Sequence, residues 1–245
     1  MLAILSDIHG NYSALEAVLE DIEKRGDVEG IGCLGDTVGY GPDPVECLRL
    51  AMEKFEFCLL GNHEYAIMHG AEGFNPVAER AVEWTRMQIK PHKDLMDFLK
   101  SLKSARLDDN TLYVHGSVTD PLMDYVRESD SNASFRRLIK TIEQEFKFFN
   151  MCFTGHNHRA FLGTNEGIIY PHAAWNRFHV SHAKLYICVG SVGQPRDDDP
   201  RASYVTFDGE VVEYHRVRYD ISRTADRIRE VGLHEFLADR LYVGQ

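Results

Sequence analysis

A chain of 245 residues, 44% hydrophobic and 27% charged, can bury a substantial core and is too apolar to be extensively disordered. Its formal net charge of −11 disfavours a broad basic face for nucleic-acid backbone. No stretch approaches the roughly 20 consecutive apolar residues that a membrane span needs.

In chain order, the apolar run at 2–5 ends in Ser6-Asp7, as a buried strand would. Ser13 is expected to cap a helix, with Glu16 completing a capping box and Leu15, Val18, Leu19 and Ile22 giving one apolar face. Gly26 closes that helix, and a second buried strand begins at 31–34. Pro42-Asp43-Pro44 opens a helix to about residue 54, and 57–60 reads as the next strand. Helical spacing runs from about 76 to 103 with a break at Pro91, and Met87, Leu95, Met96 and Leu99 read as its packing face. Strands are expected at 111–114 and 151–154, separated by a helix over about 134 to 149. Beyond residue 160 the pattern turns strand-rich, at 161–163, 167–170, 185–190, 203–207 and 210–218, with Asp208-Gly209 as a hairpin signal. A helical region covers about 221 to 241.

This order predicts an α/β fold, a four-layer α/β/β/α sandwich of two sheets flanked by helices. It forms one domain over 1–245, with a small helical cap at about 66–110. The five cysteines (33, 47, 58, 152 and 188) are odd in number and form no CxxC pair. All but Cys47 lie in apolar runs, which suits free buried thiols and a reducing, cytoplasmic setting. The first residues lack the apolar core of a signal peptide, which fits the same expectation.

Polar groups cluster where strands are expected to end: Asp7-Ile8-His9, Gly35-Asp36, Gly61-Asn62-His63-Glu64, His115-Gly116 and Gly155-His156-Asn157-His158. Alone, an Asp-x-His reads as a turn and a Gly-His-x-His as a pair of loop histidines. Five such fragments at five strand ends argue for convergence, because ligands collect beyond the carboxyl ends of strands in α/β sheets. Imidazole, carboxylate and amide donors suit divalent transition metals. Two such ions could generate hydroxide near neutral pH and clamp an in-line phosphoryl displacement, with Asp36 the natural bridge. His172, His179 and His182 read as loop residues, and Asp197-Asp198-Asp199 as a solvated loop.

In order and spacing, these fragments resemble the calcineurin-like metallophosphoesterase superfamily over roughly the first two-thirds of the chain. The resemblance implies two divalent ions (Mn, Fe, Zn or Ni). Asp7, His9, Asp36 and His158 would hold the first, and Asn62, His115 and His156 would complete the second across Asp36. His63 would be the general acid, with an ordinary pKa near 6.5 suited to that role.

Two departures bear on the substrate. Protein serine/threonine phosphatases of the superfamily carry an Asp where this chain has Gly39, and an Arg soon after Glu64, where Tyr65-Ala66-Ile67 follows here. The usual carboxylate partner of His63 is therefore absent from its expected place. The segments 35–44 and 190–196 resemble a compact bacterial and archaeal branch likened to diadenosine-polyphosphate hydrolases and small phosphodiesterases. Asn11 and Arg196 are expected phosphate contacts, with helix entry and pairing to Asp197–Asp199 as their structural alternatives.

The function expected is hydrolysis of a small phosphodiester or nucleotide phosphoanhydride by a metal-bridging hydroxide. A phosphomonoesterase or protein phosphatase, a non-catalytic scaffold of the same fold and a nuclease are the alternatives. The partners expected are a small phosphorylated or nucleotide substrate, with no membrane and no strongly held nucleic acid.

Overall fold

A computed structural model describes residues 1–125, 149–164, 166–180 and 184–245. The helix expected over about 134 to 149 falls outside them except for its last residue, and so does His182. β1 (Leu2–Leu5), β2 (Gly30–Cys33) and β3 (Phe57–Cys58) pair in parallel, joined by α1 (Tyr12–Arg25) and α2 (Pro44–Lys54). Next come α3 (Asn62–His69), α4 (Pro76–Ile89) and α5 (Lys93–Ser101), the last two separated at 90–92 around Pro91. The strands β4 (Ala105–Asp108), β5 (Thr111–Val114), β6 (Met151–Thr154), β7 (Ala160–Gly163), β8 (Ile168–Ile169), β9 (Arg177–His179), β10 (Leu185–Val189), β11 (Ala202–Phe207) and β12 (Val211–Val217) follow. Then come α6 (Ile221–Glu230), α7 (Glu235–Asp239) and a 3-10 turn at Arg240–Tyr242.

The strands form two mixed six-stranded sheets, ordered β3-β2-β1-β11-β12-β9 and β4-β5-β6-β10-β7-β8. Their facing sides share one apolar layer of Ile4, Leu34, Tyr113, Phe153, Ile187, Val205 and Tyr214. On the other side of the first sheet, Leu15, Val18 and Ile22 of α1 meet Ala3, Leu5 and Cys33. The sandwich of sheets faced by helices is thus as expected. α3 to α5 pack with Leu48 of α2 through Ile67, Val82, Ile89, Leu95 and Leu99. Ala81 of α4 meets Ala225, Leu237 and Leu241.

Several local expectations change. Asn11, not Ser13, caps α1, its Oδ1 accepting from Ala14 N at 3.1 Å, and Glu16 instead meets Arg223 at the surface. Met87 is 62% exposed, since α4 turns Ala78, Ala81, Val82 and Ile89 inward. β4 and β9 are added edge strands whose short, mixed sequences carry little alternation, and α3 begins inside the Gly61-Asn62-His63-Glu64 motif. Asp197 and Asp199 are not simply solvated, because they pair with Arg216 and Arg201. All five cysteines are free. Among the described residues, no helix is long and apolar enough to cross a membrane.

Outside the site, one buried imidazole sets an acid limit on stability. His215 on β12 is 8% exposed and lies 2.9 Å from Thr206 Oγ1 and 3.3 Å from an Arg25 nitrogen. Burial, with Arg25 beside it, lowers its pKa from 6.5 to about 4. The folded protein keeps this ring neutral, so its contribution to stability is full above 6.5 and is lost as the pH falls toward 4. In urea titrations of metal-free protein, the midpoint should drop over that window, and less steeply in His215→Gln. Equal slopes for the two proteins would count against this assignment.

Candidate metal centre

β1, β2 and β3 of one sheet and β5 and β6 of the other end on the same side of the molecule. Asp7, His9, Asp36, Asn62, His115, His156 and His158 meet beyond those ends, none more than 6% exposed. They gather in two groups, Asp7 with His9 and His158, and Asp36 with His115 and His156. Asn62 joins the second group, its Oδ1 lying 3.0 Å from His115 Nε2.

The backbone around these side chains is strained in a consistent way. Asp7, His9, Asp36, His156 and His158 all have φ between 50° and 63°, a region disfavoured for residues with a Cβ. They are five of the eight non-glycine residues with positive φ among those described, so the strain is concentrated at the site. The backbone also fixes the carboxylates. Asp7 Oδ2 accepts from His156 N and Asp36 Oδ1 from His63 N, both at 2.9 Å. Each aspartate then turns its other oxygen to the histidines. Asp7 Oδ1 lies 3.2 Å from His158 Nε2, while Asp36 Oδ2 lies 3.6 Å from His9 Nε2 and 3.4 Å from His115 Nε2. Asp36 Oδ2 therefore sits between the two groups.

Hydrogen bonds behind the rings decide which nitrogen faces inward. His9 Nδ1 lies 3.1 Å from Val38 O, and His158 Nδ1 lies 2.6 Å from Gln194 O. Both Nδ1 atoms must carry the proton to donate to a carbonyl, so both Nε2 atoms present bare lone pairs. Those lone pairs face each other at 3.0 Å. Two acceptors that close cannot hydrogen-bond each other, but a cation between them satisfies both. In the second group only His156 is held this way: its Nε2 faces Met123 O at 3.3 Å, turning its Nδ1 toward His115 Nε2 at 3.1 Å, while His115 Nδ1 is buried with no partner. Asp7 Oδ1 is buried with no hydrogen-bond partner at all. The donor set and these orphaned atoms fit two divalent ions.

The electrostatics point the same way. Burial alone would raise the carboxyls, but His158 beside Asp7 and His115 beside Asp36 hold both well below the usual carboxylate range. His156 is lowered to about 4 by burial and by His115, and His158 to about 3 by burial and by Arg196. Burial also pulls on His115, yet Asp36, Asp7 and Glu64 together raise it to about 9. Carboxylates held ionised beside neutral His156 and His158 are what a divalent cation requires, and the positive charge that Asp36, Asp7 and Glu64 favour on His115 is one that a bound cation would replace.

His63 stands at the edge of this cluster, 2% exposed, within ligand range of His9 and Asp36. Its Nδ1 is buried without a partner and lies against Gly39, where a Cβ would collide with it. Three rings hold the imidazole instead of a carboxylate: Tyr40 at 4.5 Å, His9 at 4.7 Å and Phe74 at 5.1 Å. The absent Asp at position 39 is thus explained by packing. The expected near-neutral pKa is not found, because burial lowers the ring well below 6.5.

The two expected substrate contacts separate. Asn11 is 1% exposed and its groups are taken: Oδ1 by Ala14 N and by Thr224 Oγ1 at 2.7 Å, Nδ2 by Gly193 O at 2.8 Å. It is a helix cap that ties α1 to α6 and to the loop after β10, and this geometry does not support a phosphate contact. Arg196 is not the partner of Asp197 or Asp199 and stands beside the cluster, 5.8 Å over the Tyr40 ring. His172 contacts Trp175 and His179 lies on β9, so neither joins the cluster.

Some contributors carry no sequence signal of their own, since the carbonyls of Val38, Met123 and Gln194 act through the backbone. Glu64 was visible in its motif but given no role. It is fully buried and accepts from Asp36 N and Gly61 N at 2.9 Å and from Val38 N at 3.2 Å, binding the turn that presents Asp36 to the start of α3. Tyr125, whose ring stacks on His156 at 3.7 Å, sits in a loop with no motif.

Comparison with known proteins agrees with this geometry. Residues 1–223 match the family described as calcineurin-like phosphoesterase. The chain is 33% identical to a Methanocaldococcus jannaschii protein described as uncharacterized, over 100% of this chain and 98% of that one. The crystal structure of a metallophosphoesterase from Sphaerobacter thermophilus superposes with a TM-score of 0.84 at 36% identity, covering 100% of this chain and 98% of the other. A symmetrical bis(5'-nucleosyl)-tetraphosphatase of Coxiella burnetii is 30% identical over 105 residues, which is 42% of this chain and 35% of that protein.

Proposed function

Because the chain belongs to the calcineurin-like phosphoesterase family and is a phosphoester hydrolase, we propose that it cleaves a small phosphodiester or a nucleotide phosphoanhydride at the Asp36-centred cluster. The facing bare nitrogens of His9 and His158, with Asp36 Oδ2 between the two groups, support this reading most. Asp7, His9, Asp36 and His158 would hold one ion, and Asn62, His115 and His156 with Asp36 would hold the second. Mn, Fe, Zn and Ni all accept such donors. When bound, the ions supply a nucleophile from water at neutral pH and offset charge on the phosphoryl oxygens.

His63 is the group placed to protonate the leaving oxygen, through Nε2, since Nδ1 is packed against Gly39. Burial lowers its pKa, and an anionic substrate beside the ring favours the charged form. Arg196 is the proposed phosphate contact. The partial match to symmetrical bis(5'-nucleosyl)-tetraphosphatases favours a nucleotide anhydride as substrate. The protein-phosphatase alternative is disfavoured, because the room for an Asp at position 39 is filled by His63.

Protein loaded with Mn²⁺ should hydrolyse bis(p-nitrophenyl) phosphate and diadenosine tetraphosphate, and both faster than p-nitrophenyl phosphate. Turnover of none of the three with Mn²⁺, Fe²⁺, Zn²⁺ or Ni²⁺ would overturn the proposal.

A further inference from the structure

A cavity of about 620 Å³ opens on the flank of the molecule where β8 and β9, the edge strands of the two sheets, are joined. That volume lies within the range of small-ligand sites. One of its walls is built by the segments 158–160 and 196–199, which are bonded to each other. Arg196 N donates to His158 O at 3.0 Å, and Ala160 N to Asp197 Oδ2 at 3.2 Å. From this pair of segments His158 turns its ring to the metal cluster, whereas Arg159, Ala160, Asp197 and Asp199 line the cavity. Arg159 directly follows His158, a step of about 3.8 Å between Cα atoms. The cluster and the cavity therefore share a wall.

A second wall is the connection from β8 to β9, which contributes Tyr170, Pro171, His172 and Ala173. It is an anchored hairpin. His172 and Trp175 exchange backbone bonds of 3.1 and 2.8 Å, and Asn176 bonds both ways with the backbone of Tyr214 at 2.8 and 2.9 Å. Trp175 packs 5.2 Å from the buried Phe178. On this fixed backbone Tyr170 is nevertheless 51% exposed, a large ring kept at the cavity. The charged wall is equally ordered: Arg216 pairs with Asp197, and Arg201 holds Asp199 through two N–H groups at 2.9 and 2.6 Å. The lining counts three arginines against two aspartates, an excess of positive charge in a chain of net −11.

We infer that this cavity takes a nucleoside portion of the substrate, its base stacking on Tyr170 while its phosphate reaches the metal cluster past Arg159. An anchored aromatic ring suits a flat base, since every base has a π-face to stack. Surplus guanidinium charge suits the phosphate attached to it. The substrate class is then a nucleotide, as an anhydride or a diester, rather than a phosphoester of a non-aromatic alcohol. This deepens the hydrolase reading and rests on it.

The test is calorimetric titration of Mn²⁺-loaded protein, at fixed free Mn²⁺, with AMP and with ribose 5-phosphate, which lacks the base. AMP should bind more tightly. Tyr170→Ala should weaken AMP by about 10-fold, the scale of one lost base–aromatic stack, and should cost ribose 5-phosphate several-fold less. Tyr170→Phe, which keeps the ring, should hold AMP near its original affinity. Because Tyr170 is half exposed, the Tm of both variants should stay unchanged. AMP that binds no better than ribose 5-phosphate overturns the subsite. Equal weakening of both probes in Tyr170→Ala, or none, overturns it as well. If the discrimination stands and depends on Tyr170 while no phosphoester is turned over, the hydrolase reading fails and the subsite survives.

Discussion

Replacing His63 with Asn should lower kcat on bis(p-nitrophenyl) phosphate by ~10²-fold or more, the usual scale for a lost general acid. Bound metal should stay at two ions per chain. The ring is 2% exposed, and its Nδ1 has no partner to lose. Asn refills most of its volume between Tyr40 and Phe74, so folding should be little affected. Gly39→Ala offers an independent route to the same defect. Its Cβ would collide with His63 Nδ1, at a backbone φ of +94° that side chains rarely adopt. The imidazole must shift while every proposed ligand stays in place, so kcat should fall and metal content should hold. Elemental analysis beside steady-state kinetics checks both variants. Unchanged kcat in His63→Asn would remove His63 from the chemistry, and lost metal would make it a ligand instead.

Asp36→Asn should be more damaging, because it removes the charge shared by both groups. The Asn oxygen can still accept from His63 N, as Asp36 Oδ1 does at 2.9 Å, so the turn should survive. The other oxygen, 3.6 Å from His9 Nε2 and 3.4 Å from His115 Nε2, is replaced by a neutral group that cannot bridge two cations. We expect fewer than two ions per chain. The loss in kcat should exceed the roughly 10²–10³-fold cost of removing one preorganised stabilising group. Metal binds the folded state only, so the rise in Tm on adding Mn²⁺ should shrink as well. The metal-free Tm serves as the control. Full occupancy with near-normal kcat would refute the bridging role of Asp36.

The clustered residues proposed as ligands were legible in sequence because each sits in a short motif at a strand end, and a strand end is a local feature. The second layer was not. Val38, Met123 and Gln194 hold His9, His156 and His158 through backbone carbonyls, which any residue type could provide. Asn11 was left between a phosphate contact and helix entry for a related reason. Asn suits both a helix cap and a substrate contact, and only its bonds to Ala14, Gly193 and Thr224 decide between them. The fold shows the same division. Strands with a clear apolar run, such as β1 and β10, were visible, whereas β4 and β9 exist because β5 and β12 offer them an edge to pair with.

The sequence by itself therefore determined the sandwich and the candidate metal-ligating residues, since hydrophobic periodicity and residue chemistry are written locally. Tertiary structure alone decided how those residues act. It set which imidazole nitrogen faces inward, how His63 packs against Gly39, and that Thr224, far along the chain, bonds Asn11. These depend on contacts between residues distant in sequence, made by packing two sheets and the last helices together, and no local pattern encodes such contacts.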